Sequence, residues 1–468
     1  MTDDLLAGLG ASAADRLPLD ALDEVPSGLP AVTREPAVPL GFLAGGAAVG
    51  IKRSGKPDLA LVVSTGRPAA AAAVFTTNAF AAAPVKRSRA NLAASMPSGG
   101  GRYGVARAVV STSGSANAAT GPSGDVDQAT VCDAVARAVG CDPSHVLALS
   151  TGLIGTRLPV ALVSAGVAEL AERLPAGSIG MQDAARALMT TDARPKWATV
   201  RIALPRPDGT PAEVTIAGIA KGVGMIHPRM ATMLAVILTD ADAEPAALHA
   251  ILRRVAARTW DQLTVDGDTS TNDTVFLLAS GASGAADPEK GSPEERLLEA
   301  GIEAVARDLA RQQAADGEGA TTLIVCQATG AADDADARAA ARAVVASSLV
   351  KAAVHGRDPN WGRIAAAVGA ARLPDAAVLE SAGIGSAVAR DRAGAPVRVV
   401  QERTRIAIAG TDVFAGIPLA FDADALRAAM DAPEVLIRVD LGLGSGCGEA
   451  FGCDLTEAYV VENSAYST

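Results

Sequence analysis

Short apolar runs broken by Gly, Ser and Asn alternate along this chain with longer stretches of helical spacing. Leu59–Ser64 and Val105–Ser111 read as strands. Thr199–Leu204 and Glu213–Ile219 alternate with the two-residue period of a half-buried strand. In Asp125–Val139, Val131, Val135 and Ala138 share one helical face, and Gly140 ends the run. Leu162–Leu174, closed by Pro175, and Met181–Met189 read as further helices. Met230–Thr239 is an apolar strand. Pro245–Thr259 is a helix with Leu248, Ile251, Leu252 and Val255 at helical spacing. Ser292-Pro-Glu-Glu295 supplies an N-cap, a first-turn proline and a capping-box glutamate. The helix it opens carries Leu298, Ile302, Val305 and Leu309 on one face. Thr321–Gln327 predicts a strand, Ala335–Val350 a helix, and Val435–Leu441 and Tyr459–Glu462 strands. No βαβ rhythm and no internal repeat emerges, so the pattern predicts α+β layers rather than a doubly wound sheet. Residues 1–36, acidic and Pro-punctuated with a short amphipathic stretch at Leu17–Leu22, read as a mobile extension.

Composition narrows the classes. The 468 residues are 49% apolar and 20% charged, enough for a large core and unlike a disordered chain. A net charge of −11 disfavours both a nucleic-acid backbone and an anionic membrane surface as partners. Ala69–Ala83, the densest apolar stretch, is interrupted by Thr76, Thr77 and Asn78 and falls short of the roughly 20 residues of a spanning helix. The acidic start MTDDLLAGLG lacks the basic-then-apolar order of a signal peptide. Five cysteines form no Cys-x-x-Cys, and only His145, His227, His249 and His355 could assist them, so a structural zinc site has little support in the sequence. The expectation is a reduced, cytoplasmic protein with no metal.

Several motifs fail on inspection. Asp266-x-Asp268-x-Ser270 imitates a calcium loop, but Thr271 stands at the turn glycine and Leu277 at the twelfth position. Gly442-x-Gly444-x-Gly446-x-Gly448 follows a strand yet opens no helix, so it is a turn rather than a dinucleotide loop. No Walker loop or Gly-x-Ser-x-Gly elbow is present.

One segment carries more. In Ala220-Lys-Gly-Val-Gly-Met-Ile-His-Pro-Arg-Met-Ala-Thr-Met-Leu234, a hydroxyl sits between methionines directly after a glycine- and proline-rich turn. On periodicity alone Thr232 is an ordinary β-branched strand residue. The segment, however, resembles the bifunctional ornithine acetyltransferase / glutamate N-acetyltransferase family, whose members cut themselves before this threonine. Further blocks match in family order from about residue 32 to the chain end: Gly41–Val63, Val74-Phe-Thr-Thr-Asn78, Leu149-Ser-Thr-Gly-Leu-Ile-Gly155, Met189-Thr-Thr-Asp192, Thr264–Asp273, Asp316-Gly-Glu-Gly-Ala-Thr321, Asp358-Pro-Asn-Trp-Gly-Arg-Ile364, Gly452–Thr456 and Asn463…Thr468.

The resemblance implies a layered α+β sandwich of that family's self-cleaving type, with a main domain over 37–335 and a smaller C-terminal α/β domain over 336–468. It implies cleavage between Ala231 and Thr232 into chains 1–231 and 232–468 that stay associated, and it implies no cofactor. Thr232 is then the nucleophile, Thr151 and Gly152 the oxyanion donors, and Lys221, Thr232, Glu318, Asn463 and Thr468 the substrate contacts. The expected substrates are N-acetylornithine and glutamate, and the expected assembly is a dimer of the two-chain unit or larger. The chain departs from the family pattern at Thr112-Ser-Gly-Ser-Ala-Asn117, Ala193, Val223, His227, Arg229 and Thr322. These departures leave open a relative with a different amino-acid or acyl substrate, or an amidase- or aminopeptidase-like hydrolase using the same threonine.

Overall fold

Strand Leu59–Ser64 shows how alternation builds this molecule. Leu59, Leu61 and Val63 face one core, while Ala60 and Val62 face another. In the computed structural model, which describes residues 28–175, 177–227 and 233–464, three sheets carry the architecture. The first has the order β1 (Phe42–Ala47), β2 (Leu59–Ser64), β5 (Ala108–Ser115), β6 (Val146–Leu153), with only β5 and β6 parallel. The second runs β4 (Tyr103–Ala106), β3 (Ala69–Phe75), β10 (Thr274–Ala279), β9 (Leu234–Thr239), β8 (Pro211–Lys221), β7 (Lys196–Pro205).

The two sheets pack face to face. Val62, Val109 and Leu147 of the first share a core with Phe75, Ile219, Val236 and Phe276 of the second. Helices Gly121–Val139 and Val160–Glu172 cover the outer face of the first sheet through Val131, Val135, Val163 and Val167. Helices Pro245–Arg258 and Pro293–Ala315 cover the outer face of the second through Leu248, Leu252, Ile302 and Leu309. The result is helix, sheet, sheet, helix: the layered α+β sandwich expected from the sequence.

A third sheet, β13 (Thr411–Ala415), β12 (Arg405–Ile408), β14 (Glu434–Asp440), β11 (Leu323–Ala331), β15 (Gly446–Cys453), has its own core with helices Asp334–Ala346 and Trp361–Ala370. β11 precedes residue 335, yet it pairs with β14 and β15.

The structure corrects several sequence readings. Val105–Ser111 is two strands in two different sheets, because Arg107 is where the chain crosses between them: its amide donates to the His145 carbonyl and its carbonyl accepts from Ser64. Ala335–Val350 breaks at Ser347, whose extended backbone and hydroxyl cap a second helix, Ser348–His355. Tyr459–Glu462 is not a strand but part of helix Glu457–Ser464, where the Thr456 hydroxyl accepts from the Tyr459 amide. Residues 28–36, the described end of the expected mobile extension, are held down. Thr33 bridges to Thr199, and the Arg34 guanidinium lies 2.7 Å from Asp308. Leu17–Leu22 lies outside the described residues; among the described residues no helix is long and apolar enough to cross a membrane.

Candidate active site

The parallel pair β5–β6 ends in an irregularity at Gly114 and Ser115, which brings Thr151 and Gly152 to the open edge of the first sheet. Gly152 has φ +124°, and a Cβ there would stand 2.4 Å from the Gly114 carbonyl carbon, so only glycine fits. Across the gap, β8 delivers Lys221 at its last position and β9 begins at Leu234. A cleft of about 280 Å³ opens between them. It is lined by Thr151, Gly152, Lys221, Glu318 and Asn463, and by Met233, the residue that follows Thr232. Five of the residues singled out from the sequence therefore meet in one place. Ala231, Thr232 and Thr468 lie outside the described residues.

Lys221 is buried, and its ammonium donates to the Thr151 hydroxyl at 3.3 Å. Desolvation lowers its pKa; Asp192 opposes that shift and Lys196 adds to it. Glu318 is fixed from two sides: the Thr191 hydroxyl donates to one carboxylate oxygen at 2.7 Å and the Asn463 amide to the other at 3.0 Å. The chain-end helix that carries Asn463 lies close to Gly319, where a Cβ would stand 2.3 Å from the Tyr459 nitrogen.

Behind the cleft lies an ion cluster that no sequence reading assigned. Lys196 is sealed between Asp192 at 2.8 Å and Asp316 at 2.6 Å, all three side chains essentially unexposed. Burial alone would depress the lysine, but the two carboxylates outweigh it and hold its pKa above the ordinary value. Burial likewise opposes ionisation of Asp192, yet Lys196 and Lys221 keep its pKa well below the usual range. Asp192 also accepts from the Gly222 amide at 2.9 Å, and Asp316 from the Ala193 amide at 3.1 Å. The cluster thus ties the Thr190–Lys196 loop to both Lys221 and the Glu318 turn. Lys52 adds a clamp, donating to the Met189 and Pro57 carbonyls, and burial, reinforced by Lys221's charge, lowers its pKa to about 8. Asn272 donates to the Ala116 and Ser150 carbonyls at 2.6 and 2.8 Å, setting the strand end that presents Thr151. The sequence signal for these residues was present in Met189-Thr-Thr-Asp192, Pro195-Lys196 and Thr264–Asp273, but contiguous matching blocks do not disclose which side chains meet.

Of the described departures from the family pattern, Val223, Ala193 and Thr322 stay off the cleft wall, whereas Ala116 of the Thr112–Asn117 segment lines it. Val223 is buried, Ala193 engages Asp316 through its backbone, and Thr322 donates its amide to Asp454. His227, the one histidine close to Thr232 in sequence, has Nδ1 3.0 Å from the Thr264 hydroxyl and lines a different cavity. Arg229 lies outside the described residues. Asp266, the start of the false calcium loop, accepts from the Met225 and Ile226 amides at 2.5 and 2.8 Å and so secures the turn that leads to Thr232. Among the described residues no group of three or more His, Cys, Asp or Glu is arranged to hold a metal.

Residues 43–468 match the model of the ArgJ family. The chain is similar to an arginine biosynthesis bifunctional protein ArgJ of Deinococcus radiodurans, 44% identical over 430 residues that cover 92% of this chain and 97% of that one. Its likeness to the protein of the same name from Thermus thermophilus is 44% over 432 residues, 92% of this chain and 99% of the relative. A solved ornithine acetyltransferase from Mycobacterium tuberculosis, in complex with ornithine, is 41% identical with a TM-score of 0.37, covering 43% of this chain and 99% of that one. By a match spanning nine-tenths of its length, the chain belongs to the ArgJ family.

Proposed function

We propose that this chain is a self-processing acetyltransferase of arginine biosynthesis, carrying an acetyl group from N-acetylornithine to glutamate on Thr232. The observation that supports the reading most is the meeting of Thr151, Gly152, Lys221, Glu318 and Asn463 in one cleft beside Met233.

A threonine hydroxyl needs a base to act as a nucleophile. With His227 bonded to Thr264, no histidine is offered for that role by the described turn. Cleavage supplies one instead. The Thr232 hydroxyl attacks the Ala231 carbonyl, the amide becomes an ester, and water hydrolyses it to leave an Ala231 carboxylate and a free Thr232 amine. Such an amine has a reference pKa of about 7.7–8.0, suited to accepting a proton near neutrality. Because Lys221 pairs with Leu234 and Ala220 with Ala235, the strands before and after the cut are neighbours in one sheet, and this pairing supports chains 1–231 and 232–468 remaining together.

In turnover the Thr232 hydroxyl takes the acetyl group from N-acetylornithine. The amide C–N bond breaks and ornithine leaves with the proton gathered by the Thr232 amine. Glutamate's amine then attacks the ester, giving N-acetylglutamate and restoring the hydroxyl. Lys221 keeps two N–H groups beyond its bond to Thr151, enough to meet an amino acid's carboxylate, while Glu318 meets the side-chain ammonium of N-acetylornithine, whose α-nitrogen is an amide. Since the Thr151 oxygen accepts from Lys221, its own proton is directed elsewhere, toward the developing oxyanion together with the Gly152 amide. The cycle uses no cofactor.

The test is direct. Active protein should run on a denaturing gel as two fragments of similar size, with Thr232 at the start of the second. Thr232→Ala should give one band near 46.8 kDa and no transfer. Acetyl release that needs no glutamate would make the enzyme a hydrolase, and an intact backbone in active protein would refute the mechanism.

A further inference from the structure

A second cavity, of about 160 Å³, lies where helix Asp334–Ala346 faces the turn Trp260–Gln262. Its polar lining is His227, Asp261, Gln262, Arg338, Arg342 and Arg372. The two walls differ in kind. The helix and the segment after it present guanidiniums, all donors; the turn presents Asp261 and the Gln262 side-chain oxygen, both acceptors.

Neither wall is fully satisfied. Arg338 has no hydrogen bond and no ion pair among the described residues. It is largely desolvated, with Asp334 and Arg258 acting on it in opposite senses. Arg372 reaches only the Gly394 carbonyl, at 3.4 Å. Gln262 is 6% exposed; its amide nitrogen donates to the Ala257 carbonyl, which fixes the amide orientation, and its oxygen accepts nothing. The half-buried Arg338 guanidinium gains from an anion that joins it, and the buried Gln262 oxygen costs free energy until a donor does.

We propose that this cavity is a binding site for a free acidic α-amino acid, distinct from the catalytic cleft. The α-carboxylate lies against Arg338 and Arg342, the side-chain carboxylate toward Arg372 at the rim, and the ammonium toward Gln262 and Asp261. An inorganic phosphate offers the acceptor wall a hydroxyl but no cation, and a basic amino acid sets a cation against the arginines. The site bears on catalysis through the chain itself: His227 lines this cavity, and Gly224 and Met225 of the same turn line the catalytic cleft.

The inference goes beyond the proposed activity, and calorimetric titration of the full-length protein with L-glutamate separates the two. Two binding events are expected, one lost in Lys221→Met and the other in Arg338→Met. Arg338→Lys, which keeps the charge, should retain weakened binding and guards against misfolding. At the Arg338-dependent site, N-acetyl-L-glutamate and L-ornithine should each bind about ten- to hundredfold more weakly, the cost of one lost charge-assisted contact. Loss of only the Lys221-dependent event in the wild type would refute the proposed activity and leave this site standing. A single event that survives Arg338→Met, or equal binding of the acetylated and free amino acid at the second site, overturns it.

Discussion

Two buried lysines stand almost side by side on adjoining strands and do opposite things. Lys196 opens β7 and is in register with Ala220, the neighbour of Lys221 at the end of β8. Lys196 is closed in by Asp192 and Asp316. Lys221 faces a cleft and holds only a hydroxyl at 3.3 Å. Their pKa shifts have opposite signs for that reason: two carboxylates raise the first, and burial with too little compensation lowers the second. One charge has been spent on the fold. The other is only partly compensated in the fold, and on the proposed function a substrate carboxylate completes it.

The sharpest way to break this comparison is to remove the enclosed charge. Lys196→Met leaves two carboxylates buried against each other, and stability should fall by about 3–5 kcal/mol. Urea unfolding measures it; a loss no larger than that of an exposed ion pair would mean that Lys196 is not the keystone of the cluster. By contrast, Lys221→Met removes a charge that the fold bears at a cost. Its unfolding midpoint should stay level or rise, while the transfer rate drops by about 10²–10³ if both substrate binding and Thr151 orientation depend on it.

Alkaline titration sharpens the contrast without asking for activity. The folded pKa of Lys196 is raised, so its contribution is complete below the ordinary 10.5 and is lost as pH climbs through the folded value. The folded pKa of Lys221 is depressed, so between that value and 10.5 the unfolded chain holds more protons and stability rises with pH. Comparing wild-type and Met variants from neutral pH to about 11, the advantage conferred by Lys196 should shrink toward the end of the range, while the burden of Lys221 should lift. Asp192, with a lowered pKa, adds an acid limb: its contribution is present above the ordinary carboxylate range and is lost only as pH falls through the lowered value. Parallel curves for the two lysine variants would refute the assignment.

The contrast also shows what was legible in the chain beforehand. The short apolar run Leu59–Ser64, the alternation in Glu213–Ile219 and the cap at Ser292 are local signals, and the corresponding strands and helix formed where expected. The crossing at Arg107 was invisible because both halves of Val105–Ser111 are apolar and only pairing partners tell them apart. Tyr459–Glu462 misled because a short run with three apolar residues suits a strand or a helix equally, and the deciding group, the Thr456 hydroxyl, lies outside it. Matching blocks gave the cleft's wall in Thr151, Gly152, Lys221, Glu318 and Asn463. They were silent about Lys196 and Thr191, whose meaning depends on partners roughly a quarter of the chain away: Asp316 and Glu318.

Thr191 offers the smallest and most specific test of the difference between the two sites of charge. Its hydroxyl and the Asn463 amide divide the two oxygens of Glu318 between them, so neither alone fixes the carboxylate. Thr191→Val keeps the shape and removes one donor, with an expected cost of about 1–2 kcal/mol in positioning, or roughly a five- to thirtyfold rise in KM. Thermal stability should barely move, because Glu318 opens on the cleft, where water can replace the lost partner. The change should fall on KM rather than kcat if Glu318 holds the substrate ammonium equally in ground and transition states. A drop in stability with KM unchanged would move Glu318 to Lys196's side of the comparison, as a carboxylate that serves the fold.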